Sequence, residues 1–314
     1  MPRPTFADPK TDFAFKRIFG SEEHKDILIA FLNDMLELDG EHRIVRVDLL
    51  APELRPPVAE MKLSIVDVRC MDARGVKYVV EMQVLQVEGF EKRVVYNVAK
   101  AYVNQIGPGH DYFRLNDVVG ITVCDFPLWP DIGGYRVPML SRWRMTEQHS
   151  GANGLGQIQL VFLELPKYDT SRPPHTMVEK WAYFFRETGN LKVVPEVLVE
   201  PPFRTALDVA RLAAFTVDEW DAYINAGIAI QNERGALSFA EKRGRAEGRM
   251  EGRMEGRTEG RTEGLETGLR QGIETVCELL GIELTDARRQ EVACMNGDAL
   301  VALLARIREQ KRWD

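Results

Sequence analysis

Asp67, Glu81 and Gln83 are the residues in this 314-residue chain whose types and spacing could do chemistry together. Glu81 and Gln83 lie in the apolar run Tyr78-Val79-Val80-Glu81-Met82-Gln83-Val84, which reads as a strand. Strand side chains alternate faces, so Glu81 and Gln83 share one face and Val80, Met82 and Val84 the other. The run Leu63-Ser64-Ile65-Val66-Asp67-Val68-Arg69-Cys70 reads as a second strand, with Asp67 and Arg69 on one face and Val66, Val68 and Cys70 on the opposite one. Turn residues and Gly75 lie between the runs and predict a hairpin. Aligning the apolar faces brings Asp67 beside Glu81 and Gln83. Two carboxylates, with the Met82 carbonyl as a third ligand, suit a hard cation such as Mg²⁺. Such a cation could activate water and stabilise a phosphorane-like transition state. Gln83 would then orient the water or donate to a phosphate oxygen, but it supplies no positive charge. The same spacing also suits a polar sheet face that meets only solvent.

These residues need elements to hold them. A helix is expected from about Glu88 to Ile106, with Val94, Val95, Val98 and Tyr102 on its apolar side and Gly107-Pro108-Gly109 as its stop. Arg93, Tyr96 and Lys100 form a separate stripe at i, i+3, i+7 spacing. That stripe could bind backbone phosphates or simply face water. Upstream, Phe13, Phe15 and Phe19 pin a charged segment to the core. Ser21 opens an amphipathic helix that ends near Asp39-Gly40, and Glu22 and Glu23 favour its positive end. A strand over Ile44 to Leu50 is broken up by Pro52, Pro56 and Pro57. Strands follow at Val118 to Phe126 and Ile158 to Leu165, with an irregular excursion over Pro127 to Gly156 between them. Helices including Ala206 to Phe215 and Val217 to Ile230 close the domain near residue 235. The order predicts an α/β fold, a mixed sheet flanked by helices, over residues 1–235.

From Gly244 to Gly272 a glycine recurs every four residues. Arg follows these glycines from Arg245 to Arg261, and Glu precedes them from Glu247 to Glu263. Arg and Glu are spaced two or six apart, so intrahelical pairs are not expected. Each glycine costs a helix about 1 kcal/mol relative to alanine. The segment 241–272 is therefore either a helix packed against another chain or a charge-balanced linker. Ile273 to Leu280 and Ala299 to Ile307 are amphipathic, with a helix start at Leu284-Thr285-Asp286. Residues 273–314 are expected to form a small helical C-terminal module, and the repeat tail to make a homo-oligomer.

Composition excludes several classes. Apolar content of 45% supports a buried core, and the net charge of −7 leaves nucleic-acid binding to a local basic groove. Cys70, Cys124, Cys277 and Cys294 form no CxxC pair, which argues against a disulfide framework or zinc site. The five histidines make no HExxH, and no GxSxG elbow is present. No apolar run is long enough to cross a membrane and no secretory leader is seen, so a cytoplasmic protein is expected.

Further stretches carry a family resemblance. Asp8-Pro9-Lys10-Thr11-Asp12-Phe13-Ala14-Phe15-Lys16-Arg17-Ile18-Phe19-Gly20-Ser21-Glu22-Glu23, then Phe31-Leu32-Asn33, resembles the start of the Rpn family of recombination-promoting nucleases, or transposases, of the PD-(D/E)XK superfamily. The likeness continues through Val66-Asp67-Val68, Gly75, Val80-Glu81-Met82-Gln83, Lys92-Arg93-Val94-Val95-Tyr96, Gln105 and Leu163-Glu164-Leu165-Pro166-Lys167. It implies a restriction-endonuclease-like core and cleavage of DNA with Mg²⁺ (or Mn²⁺), with a role in recombination or transposition. It implies Asp67 and Glu81 as metal ligands, with Gln83 at the position that is lysine in the superfamily pattern. Val66 stands where the motif's proline would precede Asp67. Lys16, Arg93, Tyr96 and Lys100 are expected to support the site or the DNA, and a glutamate of the first helix, Glu22 or Glu23, sometimes assists such sites. The rival expectation is a nuclease-fold protein that binds DNA and self-assembles but turns over little.

Overall fold

Strand β6 (Val118–Cys124) is buried at every position, as its nearly unbroken apolar sequence requires of a strand covered on both faces. The computed structural model describes residues 4–54, 62–107, 109–131, 134 and 136–313; Pro56, Pro57 and Pro108 lie outside them. The strands preceding β6 are β1 (Val47–Leu50), β2 (Glu53–Leu54), β3 (Ser64–Ile65), β4 (Val68–Asp72) and β5 (Lys77–Gln83), and those following are β7 (Leu140–Met145) and β8 (Leu155–Glu164). Among the described residues they form a six-stranded sheet of order β1-β4-β5-β6-β8-β7 and a small ladder of β2 with β3. β5 runs antiparallel to β4 and parallel to β6, and β6 runs parallel to β8. The sheet is mixed, and the fold is the α/β, restriction-endonuclease-like one expected.

The helices are α1 (Asp12–Phe19), α2 (Lys25–Leu36), α3 (Phe90–Val103), α4 (Met177–Glu187), α5 (Phe203–Val209), α6 (Val217–Leu280), α7 (Asp286–Cys294) and α8 (Gly297–Gln310). Val68, Cys70, Tyr78 and Val80 of the sheet share a core with α1, α2, α4 and α5. An aromatic cluster fills it: the ring centroid of Phe31 is 5.1 Å from that of Phe19 and 5.2 Å from that of Trp181, and Trp181 is 4.6 Å from Phe203. The Trp181 indole N–H donates to Asp34 Oδ2 at 2.8 Å, so the ring's polar edge is satisfied. On the other sheet face Val79 and Val118 pack with Val98 and Ala101 of α3. Gly120 lets α3 come this close, because a Cβ there would lie 2.5 Å from Val98 Cγ2.

Several local expectations are corrected. The run from Leu63 to Cys70 is two strands, not one: β3 ends at Ile65 and β4 starts at Val68, with a bend at Asp67. Val66 therefore packs with the α3 side, whereas Val68 and Cys70 face α1 and α2. A strand, β7, lies inside the expected irregular excursion. It is an edge strand whose last four residues are exposed, so its charged alternation carries little apolar signal. Asp12–Phe19 is a helix capped by Thr11, and Ser21 caps only a 3₁₀ turn ahead of α2. Val95 is 52% exposed rather than part of the apolar face of α3.

The chain divides into two compact units, Met1–Arg234 and Gly235–Asp314. Helix α6 begins in the first and continues without a break to Leu280, and its residues 244–264 are exposed throughout. Among the described residues no ion pair joins the arginines Arg245 to Arg261 to the glutamates Glu247 to Glu263; Arg243–Glu247 and Arg245–Glu241 reach partners at the start of the repeat, and Arg270–Glu266 pair near its end. In the second unit Ile273, Cys277, Val292, Leu300, Leu303, Ile307 and Trp313 close a small core, and Thr285 caps α7.

Candidate active site

The hairpin of β4 and β5 turns at Asp72–Val76, where Asp72 accepts from the N–H groups of Arg74 and Val76 and Gly75 adopts φ +88°. Its register pairs Val68 with Val80, so Asp67 arrives opposite Glu81. The bend frees the Asp67 side chain from strand alternation, and its Oδ2 accepts the Met82 N–H at 2.7 Å. Burial pushes the Asp67 carboxyl up to about 7; the negative charges of Glu81 and Asp12 add to this, while the Met82 N–H and the charge of Lys16 oppose it.

Glu81 and Gln83 share the face of β5 that looks at α3. Glu81 is buried, and burial raises its carboxyl above the ordinary range, opposed by the Asn97 side chain and the charge of Arg93. Asn97 Nδ2 donates to Glu81 Oε1 at 2.9 Å. That bond orients the amide and leaves Asn97 Oδ1 as a buried side-chain oxygen with no partner among the described residues. The amide of Gln83 is bonded at both ends: Nε2 donates to the Leu85 carbonyl at 2.8 Å, and Oε1 accepts from Arg93 Nη2. The Arg93 guanidinium also lies 5.4 Å from the centroid of the Phe90 ring. Asp67, Glu81, Gln83, Arg93, Tyr96 and Asn97 line one open cleft of about 780 Å³.

The predicted stripe on α3 divides. Arg93 is exposed at the cleft, Tyr96 is half-buried and Lys100 is only 4% exposed. Lys100 Nζ donates to the Lys62 carbonyl, and the Tyr96 hydroxyl lies 3.5 Å from the same oxygen. Lys100 thus holds the backbone leading into β3. At Lys100 the stripe meets the Lys62 carbonyl rather than open solvent. Lys16 pairs with Asp12 at 2.6 Å and reaches Asp67 only through its field. Glu22 pairs with Lys25 and stays outside the cleft.

Asn97 and Asp12 were not anticipated. Asn97 follows Arg93 by four residues on a face otherwise made by Val94, Val98 and Ala101, and a polar residue on such a face was the available signal. The donor set suits a hard divalent cation. Asp67 and Glu81 offer carboxylate oxygens whose burial opposes a bare charge, and Asn97 Oδ1 is an amide oxygen lacking a donor. Sulfur is absent from that set, and no group of three or more His, Cys, Asp and Glu with metal-binding geometry occurs among the described residues.

A family model described as PD-(D/E)XK nuclease family transposase matches residues 9–233. No curated protein and no solved structure matches the chain.

Proposed function

We propose that this chain, which belongs to the PD-(D/E)XK nuclease family transposases, is a divalent-cation-dependent endonuclease that hydrolyses phosphodiester bonds of DNA. The observation carrying this reading is the pair Asp67 and Glu81 on one cleft, beside the unpartnered oxygen of Asn97. Asp67 and Glu81 would hold Mg²⁺ or Mn²⁺, with the Met82 carbonyl and Asn97 Oδ1 as further oxygen donors. When bound, the cation supplies Lewis-acid stabilisation of the phosphate and makes water acidic enough to attack near neutral pH. The Met82 N–H fixes the Asp67 carboxylate, and Asn97 fixes that of Glu81. Arg93 and Tyr96 line the same cleft and face the DNA, whereas Lys100 and Lys16 support the site from behind it.

The test is cleavage of supercoiled plasmid by purified full-length protein with Mg²⁺. Asp67→Ala should abolish nicking while thermal unfolding stays cooperative. Equal nicking by wild type and variant would sink the proposal. The second reading, a nuclease-fold protein that binds DNA and turns over little, draws on the Gln83 amide being bonded at both ends. DNA binding without cleavage or cation binding would favour it.

The proposed setting is the cytoplasm, in keeping with four cysteines that are all free. No described helix is long and apolar enough to cross a membrane. A role in DNA recombination or transposition and a homo-oligomer through the repeat of α6 complete the proposal. A solvent-exposed helix with a glycine in every turn is costly alone, at about 1 kcal/mol per glycine, and pairing with a second copy would offset that cost. Light scattering of the full chain across a hundredfold concentration range decides the matter; a monomeric mass throughout rejects the oligomer.

A further inference from the structure

We propose that Arg93 is the cationic catalytic residue of this cleft, contacting a non-bridging oxygen of the scissile phosphate, and that Gln83 is the residue that positions it. The proposal rests on the hydrolase reading above. Phosphodiester hydrolysis adds a water oxygen to phosphorus and breaks the bond to one sugar oxygen; the water loses a proton to solvent and the leaving oxygen gains one. No proton passes through arginine, but negative charge builds on the phosphate oxygens, and a fixed cation there lowers the barrier.

Four cations besides Arg93 are near enough to consider. Lys16 is paired to Asp12, and Lys100 is buried against the Lys62 carbonyl. Lys62 and Lys92 line the cleft, but no hydrogen bond or ion pair holds either side chain among the described residues. Arg93 is held twice, by the Gln83 amide oxygen and against the Phe90 ring. Its charge reaches Glu81. A guanidinium has five N–H donors in a planar fork, so one bond to Gln83 leaves donors for phosphate. Gln83, two residues beyond Glu81 on the same strand face, is locked in turn by its bond to the Leu85 carbonyl. The amide therefore works as a bracket: it cannot carry charge itself, and it aims a charge that comes from α3.

Plasmid cleavage with Mg²⁺ is measured for wild type, Asp67→Ala, Arg93→Ala and the double variant Arg93→Ala/Gln83→Lys, with Mn²⁺ affinity of each by calorimetry. Arg93→Ala should lower kcat about 100-fold, the cost of removing one transition-state donor, with Mn²⁺ bound at least as tightly, since the charge removed acts on the Glu81 carboxylate. Gln83→Lys in that background should recover at least about tenfold, because an amine on the same strand face replaces the missing charge. Arg93→Ala cleaving within about threefold of wild type overturns the proposal. So does a loss that tracks loss of Mn²⁺ binding, which would mark a structural role, or a double variant that binds Mn²⁺ but recovers nothing. Wild type and Asp67→Ala equally inert would overturn the hydrolase reading itself and this proposal with it.

Discussion

The carboxylate of Asp67 accepts the main-chain N–H of Met82 at 2.7 Å, across the hairpin and one residue past Glu81. That bond fixes the half-buried Asp67 carboxylate beside the buried Glu81 at the same end of the sheet. Its cost has a sign that can be worked out. Burial lifts Asp67 from 3.8 to about 7. Between those values the folded chain keeps the proton that the unfolded chain has lost, so the metal-free protein should lose stability as pH rises from about 4 to about 7, and level off above. The span is on the order of 4 kcal/mol at 1.36 kcal/mol per pH unit. Urea titrations in EDTA from pH 4.5 to 8 measure it, and a flat profile for wild type, or the same slope in Asp67→Asn, refutes the assignment.

Asn97→Ala removes the donor to Glu81 and the unpartnered oxygen together. Such supporting groups are worth about 10- to 100-fold in metal affinity. Calorimetry with Mn²⁺ should show at least a tenfold weaker Kd on that scale. A wild-type Kd would mean that the oxygen takes no part in cation binding.

Lys100→Met is a test of support against phosphate contact. Because Lys100 donates to the Lys62 carbonyl, the variant should speed amide exchange around β3. The dependence of DNA affinity on salt should keep its slope, since no phosphate contact is lost. A slope reduced by about one unit identifies Lys100 as a phosphate contact after all.

Gly120→Ala forces a methyl group into Val98, 2.5 Å from its Cγ2, and crowds Leu160 at 3.2 Å. Overpacking of this kind costs about 1–3 kcal/mol. Chemical denaturation should show that loss with an unchanged m-value; full wild-type stability would mean that α3 is free to lift from the sheet.

The regular part of the site was legible because β5 is seven residues long and both its faces are used. Tyr78 and Val80 had to go to one core, and Glu81 and Gln83 to the other side. Around Asp67 the same logic failed, because β3 has only two residues and a bend separates it from β4. Alternation has no meaning across a bend, which is why Val66 and Val68 were placed together and proved to lie on opposite faces. β7 was missed for a related reason, since Arg142 and Arg144 at the sheet edge show no buried partner in sequence. Lys100 and Asn97 were out of reach for another: their partners, the Lys62 carbonyl and Glu81, are 38 and 16 residues away and are set by the packing of α3.

The bare backbone at Gly120 bears on how this protein can change over time. Through that contact with β6 one helix carries Arg93, Asn97 and Lys100 beside the neighbouring strand β5, which bears Glu81 and Gln83. A substitution on the inner side of α3 moves all of those groups at once, so its effect depends on what occupies the sheet beneath. Val98 and Gly120 are therefore an epistatic pair: a larger residue at 120 becomes tolerable once the side chain at 98 is trimmed. Change at either of these two positions is confined to paired steps.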